Sequence, residues 1–205
     1  MISLHHINKT YRTDNIETRA LSDLSLQVRE GEFLSVMGPS GCGKTTLINI
    51  MGMLDDFDKG LYIFDDIDVR KLSEKERVRL RKENIGFIFQ NFNLLDELTV
   101  AENIELPLSY LGISAPERDK KVHRVLDQID LGHRRKYFPY QLSGGQQQKV
   151  AIGRAIAANP RLLLADEPTG NLDSVQGNEI MEILNALNES GTTIIMVTHS
   201  MNDAS

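Results

Sequence analysis

The sequence predicts an α/β fold: a core of strands and helices with an antiparallel β part at its N-terminal end and a helical segment inserted before the core resumes. Three observations carry that expectation. An apolar strand runs through a glycine-rich turn into a helix ("FLSVMGPSGCGKTTLINIMGML", 33–54), helical periodicity without a strand fills 94–158, and two buried-type strands return after it.

Short β-type stretches dominate the first third. "LHHINKTY" (4–11) and "SLQV" (25–28) precede the strand "FLSVMG" (33–38), and the helix "KTTLINIMGML" follows the turn. "LYIFDDIDV" (61–69) alternates like a strand, and "SEKERVRLRKE" (73–83) is a charged helix with Ser73 placed as its N-cap. "NIGFIFQ" (84–90) is almost continuously apolar, the mark of a strand covered on both faces. The inserted helices are "TVAENIELPLSYL" (99–111), "APERDKKVHRVLDQIDL" (115–131) and "GGQQQKVAIGRAIAAN" (144–159). Strands then resume as "RLLLAD" (161–166) and "TTIIMVTH" (192–199) around the helix "QGNEIMEILNALNES" (176–190). One domain over 1–205 is expected, with 1–93 and 159–205 as its α/β core and 94–158 as its helical subdomain. His5 and His6, adjacent in a strand, are expected to point to opposite faces, which speaks against a metal site there.

At 205 residues and 40% hydrophobic, the chain can bury one substantial core. Its net charge is −6, with 23 Lys+Arg interleaved among 29 Asp+Glu, so no nucleic-acid partner is expected. The longest apolar runs, such as 194–197 and 162–165, fall far short of the ~20 residues that cross a bilayer. The N-terminus lacks a secretory pattern and the single cysteine can form no internal disulfide, which points to the cytoplasm.

"GPSGCGKTT" (38–46) fits G-x-x-x-x-G-K-[ST] between a strand and a helix, the context in which that pattern makes a phosphate-binding loop. A P-loop nucleoside triphosphatase core of the RecA-like kind is therefore expected. The loop of Gly38, Pro39, Ser40, Gly41, Cys42 and Gly43 wraps the backbone N–H groups that all but Pro39 carry around the β- and γ-phosphates, and the helix start adds its positive end. Lys44 neutralises phosphate charge, the Thr45 hydroxyl binds Mg²⁺, and Thr46 closes the loop. Cys42 reads as a passive spacer rather than a redox switch. "RLLLADEP" (161–168) delivers Asp166 and Glu167 to the C-terminal edge of a strand, where ligands bind in open α/β sheets. Asp166 suits water-mediated Mg²⁺ coordination, and Glu167 suits polarising the attacking water. In "LSGGQ" (142–146), Ser143 reads as an N-cap with Gly144, Gly145 and Gln146 opening a helix, a second anion site. The phosphate loop of the same chain already surrounds its own nucleotide, so this second site needs another source of phosphate.

In this order and spacing, the phosphate loop, "LSGGQ" and "LLLADEP" resemble the ATP-binding cassette (ABC) ATPases across essentially the whole chain. The resemblance implies that Tyr11 stacks on adenine, Gln90 contacts Mg²⁺ and the lytic water, Asp173 of "GNLD" crosses a dimer interface, and His199 senses the γ-phosphate. Taken singly, Tyr11 also reads as a half-buried strand aromatic, Gln90 as a polar strand end and His199 as a loop histidine. The implied cofactors are ATP and Mg²⁺, the metal being held through Thr45, Gln90 and Asp166, with Glu167, His199, Gln90 and Lys44 as the catalytic group. The implied partners are a second copy, each signature closing over the opposite chain's ATP, and an integral membrane permease. The permease would be reached through the Gln90 loop and "NFNLLDELTVAENIELPL" (91–108), placing the chain peripherally on the inner face of the membrane. Phe92, Leu94 and Leu95 carry two readings there, permease contact or packing of the helical insertion.

"NFNLLDELTVAENIELPL", "LSGGQQQKVAIGRAIA" and "ADEPTGNLD" together look most like the bacterial branch serving lipoprotein release and macrolide or peptide export (LolD and MacB types). Division ATPases of the FtsE type are close relatives but tend to carry Glu where this chain has Gln147. An FtsE-like regulatory role and a soluble, non-transport cassette are the alternatives. Asp65 and Asp66 stand where relatives usually turn on a glycine, so altered hairpin geometry is expected. The chain ends six residues after His199, where relatives continue, and a shortened C-terminal part is expected.

Overall fold

Residues 1–13 and 16–199 are described in a computed structural model of the chain. Strands β1 (Ile2–Thr13) and β2 (Ile16–Val28) pair antiparallel, and β4 (Lys59–Phe64) joins the other edge of β1, followed by the short β5 (Ile67–Asp68). A second, parallel sheet is built from β3 (Phe33–Met37), β6 (Ile85–Phe89), β7 (Leu162–Asp166) and β8 (Thr193–Thr198), in the order β3-β8-β7-β6. The helices are α1 (Lys44–Met51), α2 (Glu74–Asn84), α3 (Val100–Tyr110), α4 (Ala115–Gln128), α5 (Gly144–Ile156) and α6 (Ser174–Glu189). The expected mixed α/β architecture is thus present, with the antiparallel sheet beside the parallel one.

Alternation along the parallel strands divides the core. Leu162 and Leu164 of β7, with Ile195 and Val197 of β8, face α1 and the antiparallel sheet, where Ile2, Leu4, Ile48, Met51, Tyr62 and Phe64 are buried. Leu163 and Ala165, with Ile194 and Met196, face the other way and pack with Ile104, Leu108, Val150 and Ile180 from the helices. The helical insertion is therefore continuous with the sheet through one apolar cluster. Ser73, as its position predicts, caps α2 in a reciprocal box with Glu76, and Thr99 with Glu102 does the same for α3.

The expectation that His5 and His6 take opposite faces is corrected. Leu4 and Ile7 are both buried with two residues between them, the pairing register shifts there, and His6 takes a φ of 51°. This bulge puts both imidazoles on the surface, His5 Nε2 2.9 Å from Ser3 Oγ and His6 Nδ1 2.8 Å from Asp23 Oδ1. Among the described residues no group of three or more His, Cys, Asp or Glu is placed to hold a metal ion.

Asp65 and Asp66 make a tight turn after all. Both adopt left-handed φ, 51° and 65°, which Asp tolerates better than most residues. The Asp65 carboxylate earns its place by pairing with Arg161, which also holds Glu30 at 2.9 Å. A glycine would relieve the backbone but leave Arg161 without that partner.

Candidate active site

All four parallel strands end at one sheet edge, and the register lines their ends up: Met37 opposite Thr198, Val197 opposite Asp166, and Asp166 opposite Phe89. The residues that follow each strand, Gly38, His199, Glu167 and Gln90, therefore converge at that edge by topology alone.

Gly41 and Gly43 of the phosphate loop take φ of 79° and 98°, and a Cβ on Gly43 would stand 2.4 Å from the Ala20 carbonyl oxygen. Only glycine fits there, and the turn lets α1 begin at Lys44. Lys44 is buried, its Nζ donating to the Gly38 and Pro39 carbonyls at 2.7 and 3.0 Å, with Glu167 Oε1 at 4.0 Å. The ammonium is thus held over the loop with the acidic pair in reach.

Glu167 adopts φ 48°, a left-handed conformation costly for a non-glycine residue. Its own N–H donates to Val197 O at 2.9 Å and its carbonyl accepts from Gly170 N–H at 3.0 Å, which fixes the strained turn. Its Oε1 lies 3.0 Å from His199 Nδ1, so one carboxylate oxygen stands between Lys44 and His199. Burial pushes the Asp166 carboxyl above the usual carboxylate range, with Glu167 adding to the rise, while a hydrogen bond from Thr45 and the charge of Lys44 oppose it. Thr45 and Asp166 thereby present adjacent hydroxyl and carboxylate oxygens, a donor pair that fits Mg²⁺ completed by phosphate oxygens.

The raised Asp166 has a stability consequence. A folded-state pKa above the unfolded value means that the cost of ionising it is absent at low pH, appears as pH rises through the ordinary carboxylate range, and is full above the folded pKa. Asp166→Asn is therefore expected to raise the Tm of the nucleotide-free chain at pH 7 while abolishing Mg²⁺-dependent turnover. Calorimetric melts at pH 4 and pH 7 check it, the gain shrinking at the lower pH.

The remaining predicted residues lie around this cluster. Gln90 turns its Nε2 toward Asn171 Oδ1 at 3.4 Å, and Asn171 Nδ2 donates back to Gln90 O at 2.9 Å and Asn91 Oδ1 at 3.1 Å. Asp173 caps α6, accepting from Val175 and Gln176 N–H at 2.9 Å each, and shares a cleft of about 200 Å³ with Glu167 and His199. Ser143 caps α5 in a reciprocal box with Gln146, bonded at 3.3 and 3.1 Å. A Cβ on Gly144 would meet Leu172 and Phe92, and one on Gly145 would meet Gln176 at 3.0 Å, so the signature packs on the segment after β7. Tyr11, 42% exposed, extends its hydroxyl toward Thr46 beside the phosphate loop.

A family model described as ABC transporter matches residues 21–170. The chain belongs to the ABC transporter family. An uncharacterized ABC transporter ATP-binding protein of Methanocaldococcus jannaschii is 48% identical over 199 residues, covering 97% of this chain and 89% of its own length. The macrolide export ATP-binding/permease protein MacB of Campylobacter jejuni is 48% identical over 183 residues, which cover 89% of this chain and 28% of that longer protein. A solved dimeric structure of the M. jannaschii ATP-binding cassette MJ0796, in a post-hydrolysis state bound to ADP and Pi, matches with a TM-score of 0.91 at 44% identity, covering 100% of this chain and 90% of that one.

Three features of this ABC chain were not anticipated from its sequence. Asn171 laces the loop after β6 to the loop after β7. Gln148, fully buried, donates its Nε2 to Pro168 O at 2.6 Å, tying the signature helix to the residue after Glu167. Lys149 reaches Glu179 at 2.6 Å, joining α5 to α6. The signal for Gln148 was in the pattern, because it shares the buried face of α5 with Gly145 and Ile152 at helical spacing.

Proposed function

We propose that two copies of this chain close head to tail around two Mg²⁺-ATP, hydrolyse them, and drive a membrane permease for export or for lipoprotein or peptide extraction. The observation that carries it is the presence of two phosphate-binding half-sites on one chain. Lys44, Thr45, Asp166, Glu167 and His199 gather at the sheet edge around the phosphate loop, and the start of α5 at Ser143–Gln146, packed on Phe92, Leu172 and Gln176, offers a second anion-binding helix terminus. Both halves on one chain favour a two-fold dimer with two equivalent sites.

In that dimer the phosphate loop grips the β- and γ-phosphates through its N–H groups and Lys44. Thr45 and Asp166 would hold Mg²⁺, which would supply charge neutralisation to the phosphates when bound. Glu167 takes a proton from the attacking water, His199 positions that carboxylate and contacts the γ-phosphate, Gln90 orients the water, and Asp173 meets the opposite protomer. The partner's signature N-terminus completes the anion site, so turnover requires closure.

A groove of about 400 Å³ beside the Gln90 loop, lined by Phe87, Phe89, Leu106, Pro107 and Tyr110 among others, supports the permease seat. Of the segment assigned two readings, Leu94 packs against the helical core, which supports packing there, and Leu95 is 46% exposed, which leaves it available for the permease. Arg154, half-buried in α5, donates to Phe92 O at 2.8 Å and to Asn93 O, tying this loop to the signature helix. Gln147 Nε2 donates to Leu142 O at 3.2 Å, a bond that a glutamate there could not donate, which supports the export-type branch over the division type. No helix of the described residues is long and apolar enough to cross a membrane, and a peripheral place on the cytoplasmic face follows from the permease.

Lys44→Ala tests the phosphate grip. Removing the buried ammonium is expected to weaken ATP binding by at least ~10-fold, since hydrogen bonds to charged groups contribute on the order of 1.5–3 kcal/mol. Titration calorimetry checks it, and an unchanged Kd removes the loop from the site.

A further inference from the structure

We infer that Lys9 and Asp55 are positioning residues that hold the Tyr11 ring as a one-sided platform for the base of ATP. This rests on Tyr11 as the base-stacking residue and goes further, naming what orients it. An exposed tyrosine near a strand end would ordinarily exchange rotamers, and a mobile ring is a poor stacking surface because its ordering offsets part of the binding energy.

Here the ring is fixed at three points. Its hydroxyl donates to Asp55 Oδ2 at 2.7 Å and lies 3.5 Å from Thr46 Oγ1. The Lys9 ammonium stands 4.8 Å from the ring centroid, covering one face as a cation on a π-surface. Lys9 is itself held, donating from Nζ to Asp55 Oδ1 and to Asp56 O, both at 2.7 Å. The Lys9 side chain is only 12% exposed and that of Asp55 28%, so this is a partly desolvated pair rather than a loose surface contact. With one face taken by the cation, the opposite face of the ring is left for a second aromatic plane.

The tether also sets distance. Asp55 lies in the segment after α1, the helix that the phosphate loop opens, and Thr46 is the last residue of the loop motif. One hydrogen-bond network therefore registers the base platform of β1 against the triphosphate cradle. Burial, and after it the Asp55 carboxylate, push the Tyr11 hydroxyl up against a lowering bond to Thr46, which keeps it a donor at neutral pH. Asp55 lies below the usual carboxylate range because bonds from Lys9 and Tyr11 outweigh the opposing effect of its burial, so it stays an acceptor for both.

The experiment compares ATP with inorganic tripolyphosphate, which offers phosphates and no base, by titration calorimetry in Mg²⁺ on the full chain. Tyr11→Ala is expected to weaken ATP by roughly 10-fold or more, as loss of one base stack does, with tripolyphosphate unchanged. Lys9→Met and Asp55→Ala are expected to weaken ATP about 3- to 10-fold, again sparing tripolyphosphate. If both bind ATP like the parent while Tyr11→Ala does not, the positioning role is overturned and Tyr11 keeps its stacking role. If Tyr11→Ala also leaves ATP affinity intact, the stacking role fails and takes the inference with it. Equal losses for both ligands would mean that the network supports the phosphate loop, which overturns the inference as well.

Discussion

Glu167→Gln is expected to bind ATP as tightly as the parent chain, to hydrolyse it ~10²- to 10⁴-fold more slowly, and to accumulate as an ATP-held dimer. The magnitude follows from the role, since a general base contributes about that much to a proton-transfer step. Binding is spared because Gln keeps the shape and can still accept from His199, which lies 3.0 Å from Oε1. The turn that presents the side chain survives too, because its backbone bonds to Val197 and Gly170 do not involve the carboxylate. Dimer accumulation follows because the substitution blocks the step that loosens the closed state and removes a negative charge facing the γ-phosphate. Phosphate release with size-exclusion chromatography in Mg²⁺-ATP reads both effects, and undiminished turnover would eliminate Glu167 as the base.

The strain at Glu167 also bears on why that residue was legible while its surroundings were not. Sequence reasoning placed Asp166 and Glu167 correctly because an apolar run ending in two acids at a sheet edge is a local pattern. The phosphate loop was legible for a similar reason: its job is done by backbone N–H groups, and only closely spaced glycines permit the φ of 79° and 98° seen at Gly41 and Gly43. By contrast, β2 was read as the short tract 25–28 and proves to be thirteen residues long, Ile16–Val28. Its first four residues are exposed and carry no apolar period, so only their pairing with β1 makes them a strand. The bulge at His5–His6 escaped in the same way, since alternation was assumed where two buried positions in fact lie three apart.

Contacts between distant positions were the other blind spot. Asn171 with Gln90, Gln148 with Pro168, and Lys9 with Asp55 join residues 81, 20 and 46 positions apart, and no spacing rule announces such pairs. Gln148 is the instructive case, a fully buried amide whose Oε1 has no hydrogen-bond partner among the described residues. Leaving a buried polar atom unsatisfied costs about 1–3 kcal/mol. The bond of its Nε2 to Pro168 O must therefore offset a polar burial that a leucine would avoid, and its place between the signature helix and the Glu167 turn is where two half-sites would have to communicate.

Ser143→Arg is expected to leave ATP binding by the monomer unchanged, to prevent ATP-dependent dimerisation, and to lower turnover by at least ~10²-fold, the scale of losing a preorganised set of anion donors. Ser143 is exposed and is not among the partners of the Lys44 ammonium, which are Gly38, Pro39 and Glu167, so binding in the same chain has no reason to change. Closure is different, because Ser143 stands exposed at the start of α5, the helix N-terminus that another chain's phosphate would approach. An arginine there projects a long side chain from that terminus, and its attraction for phosphate does not relieve the overlap of two packed faces. The substitution also removes the Ser143 acceptor for Gln146 N–H, at a cost of about 1 kcal/mol in helix stability, which a thermal melt measures separately. A variant that melts near the parent, binds ATP and stays monomeric places the second anion site across an interface. A variant that still dimerises with ATP and turns over normally would instead remove the start of α5 from the closing surface and overturn the cross-chain site.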